Sequence, residues 1–188
     1  MDDHDSYAAL VEDRNPARVF GEVAGDYDRV RPACPAALFD DVLSYSQPDI
    51  GGRRADALGD GATLALFWNN ERIAEPALRT AMLRVFARHA PSVVVNDEPL
   101  TSGQVWQRWP GDELSTLAAF ESLASHHYRC QRNMPAVDYL GLTRTRSQFR
   151  MLPPSIRRDL LAALTRLFGD EVPLVIHTTL LLARRRQR

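Results

Sequence analysis

The sequence predicts an α/β fold in which most of the chain is helical and the helices surround a small three-stranded sheet. Two observations support this prediction. In several segments that begin at a proline, apolar residues recur at intervals of three and four, as amphipathic helices require. Two other runs lack that spacing: one is continuously apolar, as in a strand covered on both faces, and one is rich in β-branched residues and leucine, and a further candidate strand lies between them.

Four helices are predicted with distinct apolar faces. They begin at Asn15-Pro16, at Pro35, at Pro76 and after Leu152-Pro153-Pro154, and the first three end before Pro32, near Gln47 and at Pro91. Asparagine is a favoured N-cap and proline a favoured first helical residue. The second helix is expected to bury Leu38, Phe39, Val42 and Leu43. A weaker helix is expected over residues 135–146.

Three strands are predicted between these helices. They span Thr63–Trp68, Ser125–Arg132 and Val172–Ala183, and residues 92–115 are expected to be irregular. Residues 1–14 are polar and acidic and are expected to be disordered. Residues 15–183 are expected to form a single domain, followed by a basic tail over residues 184–188.

Composition excludes several kinds of chemistry. The chain has 188 residues, and all 23 of its basic residues are arginines, so no lysine is available for a Schiff base or a P-loop. The two cysteines make neither a disulfide scaffold nor a zinc cluster. No apolar run is long enough to span a membrane, and the acidic N-terminus is unlike a signal peptide. A cytoplasmic protein without a metal is therefore expected.

The charge is divided between the two ends of the chain. Residues 1–128 carry a net charge of -9, whereas residues 129–188 carry +8. A basic segment can bind nucleic acid. However, these arginines do not form one stripe, so a solvated helix face explains them better than a nucleic-acid surface.

Two short motifs could carry chemistry. Adjacent residues of a strand point to opposite faces, so His126 and His127 are not expected to bind one metal ion. The pair Gly59 and Gly61 could bring backbone close to a phosphate. A strand follows this pair, where a nucleotide-binding loop would open a helix, so a simple turn is favoured.

The segment FGEVAGDYDRVRPACPAALFDDVLSYS, residues 20–46, resembles the opening of small-molecule class I S-adenosylmethionine-dependent methyltransferases of actinobacterial type. The matching residues are Phe20, Ala24, Tyr27, Asp28, Arg31, Pro32 and Pro35. Residues 59–70 are similar to the family's fifth strand and the turn before it. Residues 133–154 resemble its late helix and Leu-Pro-Pro break, and VPLVIHTTLLLARR resembles its final strand. The resemblance implies a truncated Rossmann-like methyltransferase fold.

The resemblance also implies positions for a site. Tyr27 would approach the cofactor, S-adenosylmethionine, and Trp68 and Asn69 would line the substrate cleft. Gly59 and Gly61 can be aligned with the family's glycine-loop pattern, but they match it poorly, because the third glycine and the ribose-binding acid of that pattern are absent. Packing in the core is the favoured role for Tyr27 and Trp68. No catalytic residue is identified.

The cofactor-binding half of the family's fold, with about three strand–helix units, has no counterpart in the sequence. The resemblance therefore implies a ligand-binding or partner-binding protein without efficient methyl transfer. One alternative is an active methyltransferase whose cofactor site is completed by the second subunit of a dimer. Another is a cofactor-free tailoring enzyme that uses the cleft in which the family binds its substrate.

In the family the fifth strand pairs with the fourth and the seventh. Without a fourth strand, residues 63–69 would have an unpaired, uncharged edge, and such edges pair with other chains. We therefore expect a homodimer through this strand, or an association with a full-length methyltransferase.

Overall fold

The computed structural model describes residues 24–46, 59–93, 95 and 101–186. Within these residues the protein has eight helices and three strands. The helices are α1 (Ala24–Val30), α2 (Ala36–Ser46), α3 (Pro76–His89), α4 (Ser102–Val105), α5 (Gly111–Thr116), α6 (Ala136–Thr145), α7 (Ser147–Arg150) and α8 (Pro154–Leu167). The strands are β1 (Thr63–Ile73), β2 (Phe120–Pro135) and β3 (Glu171–Arg185). No described helix is long and apolar enough to cross a membrane.

The three strands form one sheet in the order β1-β3-β2. The backbone N–H of Arg185 donates to the carbonyl of Ala62, and that of Ala74 donates to the carbonyl of Pro173, so β1 and β3 run antiparallel. Most of β3 is buried, as its central place in the sheet requires. The mixed α/β class and the three strands predicted from the sequence are therefore confirmed.

The strands are longer than the apolar runs that predict them. β1 continues past Trp68 to Ile73, and β2 begins at Phe120, five residues before the predicted start. Pairing with β3 satisfies backbone groups whatever the side chain, so polar residues extend a strand beyond its apolar part. β3 likewise includes Arg184 and Arg185, the first two residues of the predicted basic tail.

The chain divides into two compact units. The helical unit comprises the described residues within 24–31, 72–95 and 131–174. In it α1 packs on α6, and α8 packs on both α3 and α6. The ring of Tyr139 meets the ring of Phe168 edge-on with centroids 5.2 Å apart, and its hydroxyl lies 3.3 Å from the sulfur of Met82. The predicted helices over residues 76–91 and 154–167 are confirmed here.

The sheet unit comprises the described residues within 32–71, 101–130 and 175–186. Its two cores lie on opposite faces of β3, because alternate residues of a strand point to opposite sides. Leu180 and Leu182 pack against Leu38 of α2, whereas Leu181 packs against Val105 of α4 and Leu114 of α5. These two short helices occupy part of the segment predicted to be irregular.

A glycine permits the close approach between α4 and α5. A Cβ atom at Gly111 would lie 2.0 Å from the backbone oxygen of Val105, which no larger residue could tolerate. The core of this face therefore depends on a residue without a side chain.

Helix α2 buries a narrower face than its sequence predicts. Leu38 is fully buried, and Val42 and Tyr45 are packed beside it. Phe39 and Leu43, which were expected in the core, are 54% and 59% exposed. Their burial prediction is wrong because Leu38 faces β3, whereas Phe39 and Leu43 lie about 100° and about 140° around the helix from it. The beginning of the predicted first helix and the predicted disordered N-terminus lie outside the described residues.

Candidate functional site

The predicted site residues fall in different parts of the protein. Tyr27 belongs to α1 of the helical unit, where it is half-buried and the guanidinium of Arg31 lies 6.0 Å from its ring centroid. Gly59, Gly61, Trp68 and Asn69 belong to the sheet unit.

Gly59 and Gly61 form the turn that leads into β1. The backbone N–H of Ala62 donates to the carbonyl of Gly59 at 3.0 Å, which closes a four-residue turn. Gly61 has a φ of 79°, the conformation required at the third residue of a type II turn and adopted readily only by glycine. The N–H of Gly61 donates to the carbonyl of Arg185, so this turn also pairs with the end of β3. The turn predicted at this glycine pair is confirmed.

Trp68 and Asn69 point to opposite faces of the sheet. Trp68 packs with the core formed by Leu181 and Val105. Asn69 lies on the α2 face, where its Nδ2 donates to the carbonyl of Pro32 at 2.9 Å and its Oδ1 accepts a bond of 2.7 Å from the hydroxyl of Thr178. The two side chains therefore do not line one surface, and those of Asn69 and Thr178 fix the segment that precedes α2 onto the sheet.

A polar cluster lies on the same face, between α2 and β2. The hydroxyl of Tyr128 donates to Oδ2 of Asp41 at 2.5 Å, and Nδ1 of His126 lies 3.5 Å from that oxygen. The rings of His126 and Tyr128 are nearly parallel, with centroids 6.5 Å apart. Asp41 is thus the common partner of two side chains that lie two residues apart on one strand.

The electrostatics of this cluster favour a neutral phenol. Burial, followed by the hydrogen bond to Asp41 and the charge of that carboxylate, raises the pKa of Tyr128 well above its usual range. The Tyr128 phenol therefore stays protonated and holds Asp41 in place, and Asp41 in turn orients the imidazole of His126. Such a carboxylate–histidine pair could support proton transfer if a ligand reached it.

His127 has different surroundings from its neighbour. Its Nδ1 lies 3.4 Å from the hydroxyl of Thr179, on the face opposite Asp41. Partial burial and the charge of His126 lower the pKa of His127. The prediction that the two histidines point to opposite faces is confirmed.

A second set of contacts fixes the C-terminal end of α2. The hydroxyl of Tyr45 donates to the carbonyl of Ser122 at 2.5 Å, and the guanidinium of Arg184 donates to the carbonyl of Tyr45 at 2.8 Å. That guanidinium also lies 5.4 Å from the centroid of the Tyr45 ring, a favourable cation–π position. Asp41 and Tyr45 therefore hold one flank of α2 against β2 and β3.

The opposite flank of α2 lies beside β1 and leaves apolar side chains exposed. Phe39 and Leu43 are on this flank, since they lie about 100° and about 140° around the helix from Leu38, on the side opposite Asp41. Phe67 of β1 shares the α2 face with Asn69 and is 46% exposed. Within the described residues, β3 is the only strand that pairs with β1. The free side of β1, together with the exposed residues Phe67 of β1 and Phe39 and Leu43 of α2, is called the β1 edge below.

Sequence reasoning missed the Asp41 cluster and part of the β1 edge. The spacing of His126 and Tyr128 on a predicted strand places them on one face, and this signal was available. Nothing in the sequence connects them to Asp41, which is more than 80 residues away. The sequence predicts Phe39 and Leu43 in the core because periodicity alone does not give the width of a buried helix face.

No group of three or more potential metal ligands occurs among the residues that the structure describes. No protein-family model matches the sequence, and no curated protein is significantly similar to it.

Proposed function

We propose that the protein is a shortened member of the class I methyltransferase family that acts as a partner-binding protein, and that its partner is a second copy of the chain. The observation that carries this proposal is the β1 edge. Among the described residues no strand pairs with this side of β1, and Phe67 on it is exposed, at the position where a complete fold of the family would have another strand.

The strand order supports the family assignment. In that family the fifth strand pairs with the seventh, and here β1, the counterpart of the fifth strand, pairs with β3, the counterpart of the seventh. The helices on both faces and the Leu-Pro-Pro break before α8 also agree with the resemblance. Strands one to four have no counterpart among the described residues, so β1 occupies an edge.

The composition of β1 supports pairing with another strand. Proteins usually protect an edge strand with charged residues, proline or a bulge. The charged residues of β1, Glu71 and Arg72, lie near its end, and residues 61–70 contain no charged residue and no proline. The hydrogen bonds of Ala62 and Ala74 to β3 show that even-numbered residues of β1 bond to that strand. Odd-numbered residues, including Phe67, therefore direct their backbone N–H and C=O groups to the free side.

A second copy fits this edge better than a charged partner would. An antiparallel pair of identical strands centred on Ala65 places residues 61–69 of one chain opposite the same residues of the other, so no like charges face each other. The side chains of Phe39, Leu43 and Phe67 from both copies would then meet beside the joined sheet. Their burial would add hydrophobic stabilisation to the new backbone hydrogen bonds.

Two variants of one residue test this proposal. Phe67→Ala removes the aromatic side chain but keeps the backbone N–H on the free side. Phe67→Pro removes the aromatic side chain and that N–H, and it breaks no hydrogen bond between β1 and β3. Light scattering coupled to size-exclusion chromatography at tens of micromolar should give twice the 21.1 kDa chain mass for the native protein. The alanine variant should dissociate more readily than the native protein, and the proline variant should be a monomer.

Far-UV circular dichroism and a cooperative melt must show that both variants remain folded. A native protein that is monomeric at this concentration would overturn the proposal. So would a dimer that Phe67→Pro leaves intact, because its interface would lie elsewhere.

The alternative, an active methyltransferase, is tested by thermal unfolding with millimolar S-adenosylmethionine or its demethylated product. A ligand present at 100 times its Kd and bound only to the folded state adds about 2.7 kcal/mol of stability. We expect no shift in Tm. A shift of several degrees would favour the enzyme, and its loss in the Phe67→Pro variant would indicate a cofactor site completed by the dimer mate.

A further inference from the structure

The helical unit contains an open surface cavity of about 500 Å³. This volume is in the range of small-molecule sites. Three consecutive helices, α6, α7 and α8, contribute to its wall. Its lining includes four arginines and two apolar side chains: Arg144, Arg150, Arg157, Arg158, Phe149 and Leu161.

The charge around this cavity is strongly one-sided. Residues 139–158 contain five arginines and no acidic residue. One acidic side chain that contacts the lining is Asp159, whose Oδ1 lies 3.8 Å from Nε of Arg158 in an exposed ion pair. The four guanidinium groups of the lining each carry a positive charge, because arginine is not deprotonated in proteins.

The arginines converge because of the local fold. Arg144 lies in the last turn of α6, and Arg150 lies at the end of α7. Leu152-Pro153-Pro154 then turns the chain into α8, whose second turn carries Arg157 and Arg158. A solvated basic face would place its charges along one helix. Here three helices contribute four arginines to the wall of one cavity, which Phe149, a buried aromatic side chain, also lines.

The geometry points to a binding site for a phosphate monoester of a small apolar molecule. Guanidinium groups match phosphate oxygens through paired hydrogen bonds. A dianionic phosphate would offset the mutual repulsion of four clustered cations better than a single carboxylate. Leu161, together with the small exposed part of Phe149, provides an apolar surface for the remainder of the ligand, so inorganic phosphate alone would use only part of the cavity. This inference does not depend on the proposed function.

Phenyl phosphate is the probe for this site, with phenol, benzoate and inorganic phosphate as comparisons. Isothermal titration calorimetry at two salt concentrations should show phenyl phosphate binding most tightly and more weakly at high salt. Inorganic phosphate should bind more weakly than phenyl phosphate, benzoate more weakly still, and phenol not measurably. Hydrogen bonds to charged groups contribute about 1.5–3 kcal/mol, so Arg144→Gln and Arg157→Gln should each weaken phenyl phosphate binding about tenfold or more.

Arg166→Gln is the matched control. It removes the same charge from an exposed position of the same helix, α8, but Arg166 does not line the cavity. Binding of phenyl phosphate should be nearly unchanged in this variant. The proposal is overturned if phenyl phosphate does not bind at millimolar concentration, or if all three variants weaken it equally. Tight binding of a single-stranded oligonucleotide without binding of phenyl phosphate would also overturn it, because the arginines would then serve a nucleic-acid surface.

Discussion

Replacement of Asn69 by leucine should lower the free energy of unfolding by about 2–4 kcal/mol, since a hydrogen bond contributes about 1 kcal/mol and an unpaired buried polar group costs about 1–3 kcal/mol. Two hydrogen bonds are lost, one of 2.9 Å to the carbonyl of Pro32 and one of 2.7 Å from the hydroxyl of Thr178. Thr178 is only 2% exposed, so its hydroxyl would lose its partner in a place that water barely reaches.

A double-mutant cycle separates these contributions. In Asn69→Leu/Thr178→Val both polar partners are gone, so the unpaired hydroxyl no longer adds to the cost. We expect the double variant to be more stable than the sum of the single changes predicts, by about 1 kcal/mol. Urea unfolding followed by tryptophan fluorescence and by circular dichroism measures each variant. In thermal unfolding, each kcal/mol corresponds to about 2–4 °C in Tm for a chain of this size.

Additive effects in the double-mutant cycle would refute this reasoning. So would a loss of unfolding free energy below about 0.5 kcal/mol in Asn69→Leu, because surface substitutions that touch no structural feature have effects of that size. Asn69 would then not hold the segment before α2 on the sheet. Its amide would be available to a ligand, as the family resemblance implies, and the substrate-binding role of this residue would gain support.

Three further predictions concern neighbouring positions. Leu38→Ala should cost about 2–5 kcal/mol in urea unfolding, as buried leucines do, whereas Phe39→Ala should leave monomer stability nearly unchanged because that ring is exposed. Gly61→Ala should lower Tm because alanine at positive φ costs about 1–2 kcal/mol, and Gly59→Ala, which has open space around it, should not. Stability should fall as pH rises above 10, where unfolded tyrosine ionises while the raised pKa keeps Tyr128 protonated in the folded state. Tyr128→Phe should reduce that fall, measured as urea midpoints at pH 9 and pH 11.

Helix positions could be predicted from the sequence because the signals that set them are local. Proline begins α3 and α8 at the predicted residues, and α2 begins one residue after Pro35. These prolines act through their own backbone geometry, which does not depend on the rest of the fold. The width of the buried face is not local, since it depends on what the helix meets. Leu38 and Phe39 are adjacent and similarly apolar, yet only the contact with β3 decides which of them is buried.

Strand alternation was also an incomplete guide, and Ser122 shows why. Phe120 and Ala124 are four residues apart in β2 and would face the same side of a regular strand. They pack in cores on opposite faces, because Ser122 between them has a positive φ of 53° and shifts the alternation by one. The carbonyl of Ser122 accepts the hydroxyl of Tyr45, a contact between residues 77 positions apart. Neither the positive φ nor this contact leaves a recognisable signal in the sequence.

The candidate site depends on the same kind of distant pairing. Register places Asn69 of β1 and Tyr128 of β2 on either side of Thr178 of β3, which brings three polar residues into one row across the sheet. On the α2 face of the sheet, Asp41 accepts a hydrogen bond from Tyr128, and the carbonyl of Pro32 accepts one from Asn69. The sequence contains each of these residues, but their alignment across the sheet can be recognised only from the strand order and the register.

The asymmetry of α2 connects the fold with the proposed function. On one flank, Asp41 and Tyr45 make polar contacts that determine where the helix lies on the sheet. On the other flank, Phe39 and Leu43 are exposed beside an edge strand that carries no charge over residues 61–70. If core packing alone had shaped this helix, the exposed flank would be expected to be polar, because exposed phenylalanine and leucine favour aggregation. The polar contacts that hold α2 in place therefore also keep its apolar flank next to β1, where a second copy would bury it.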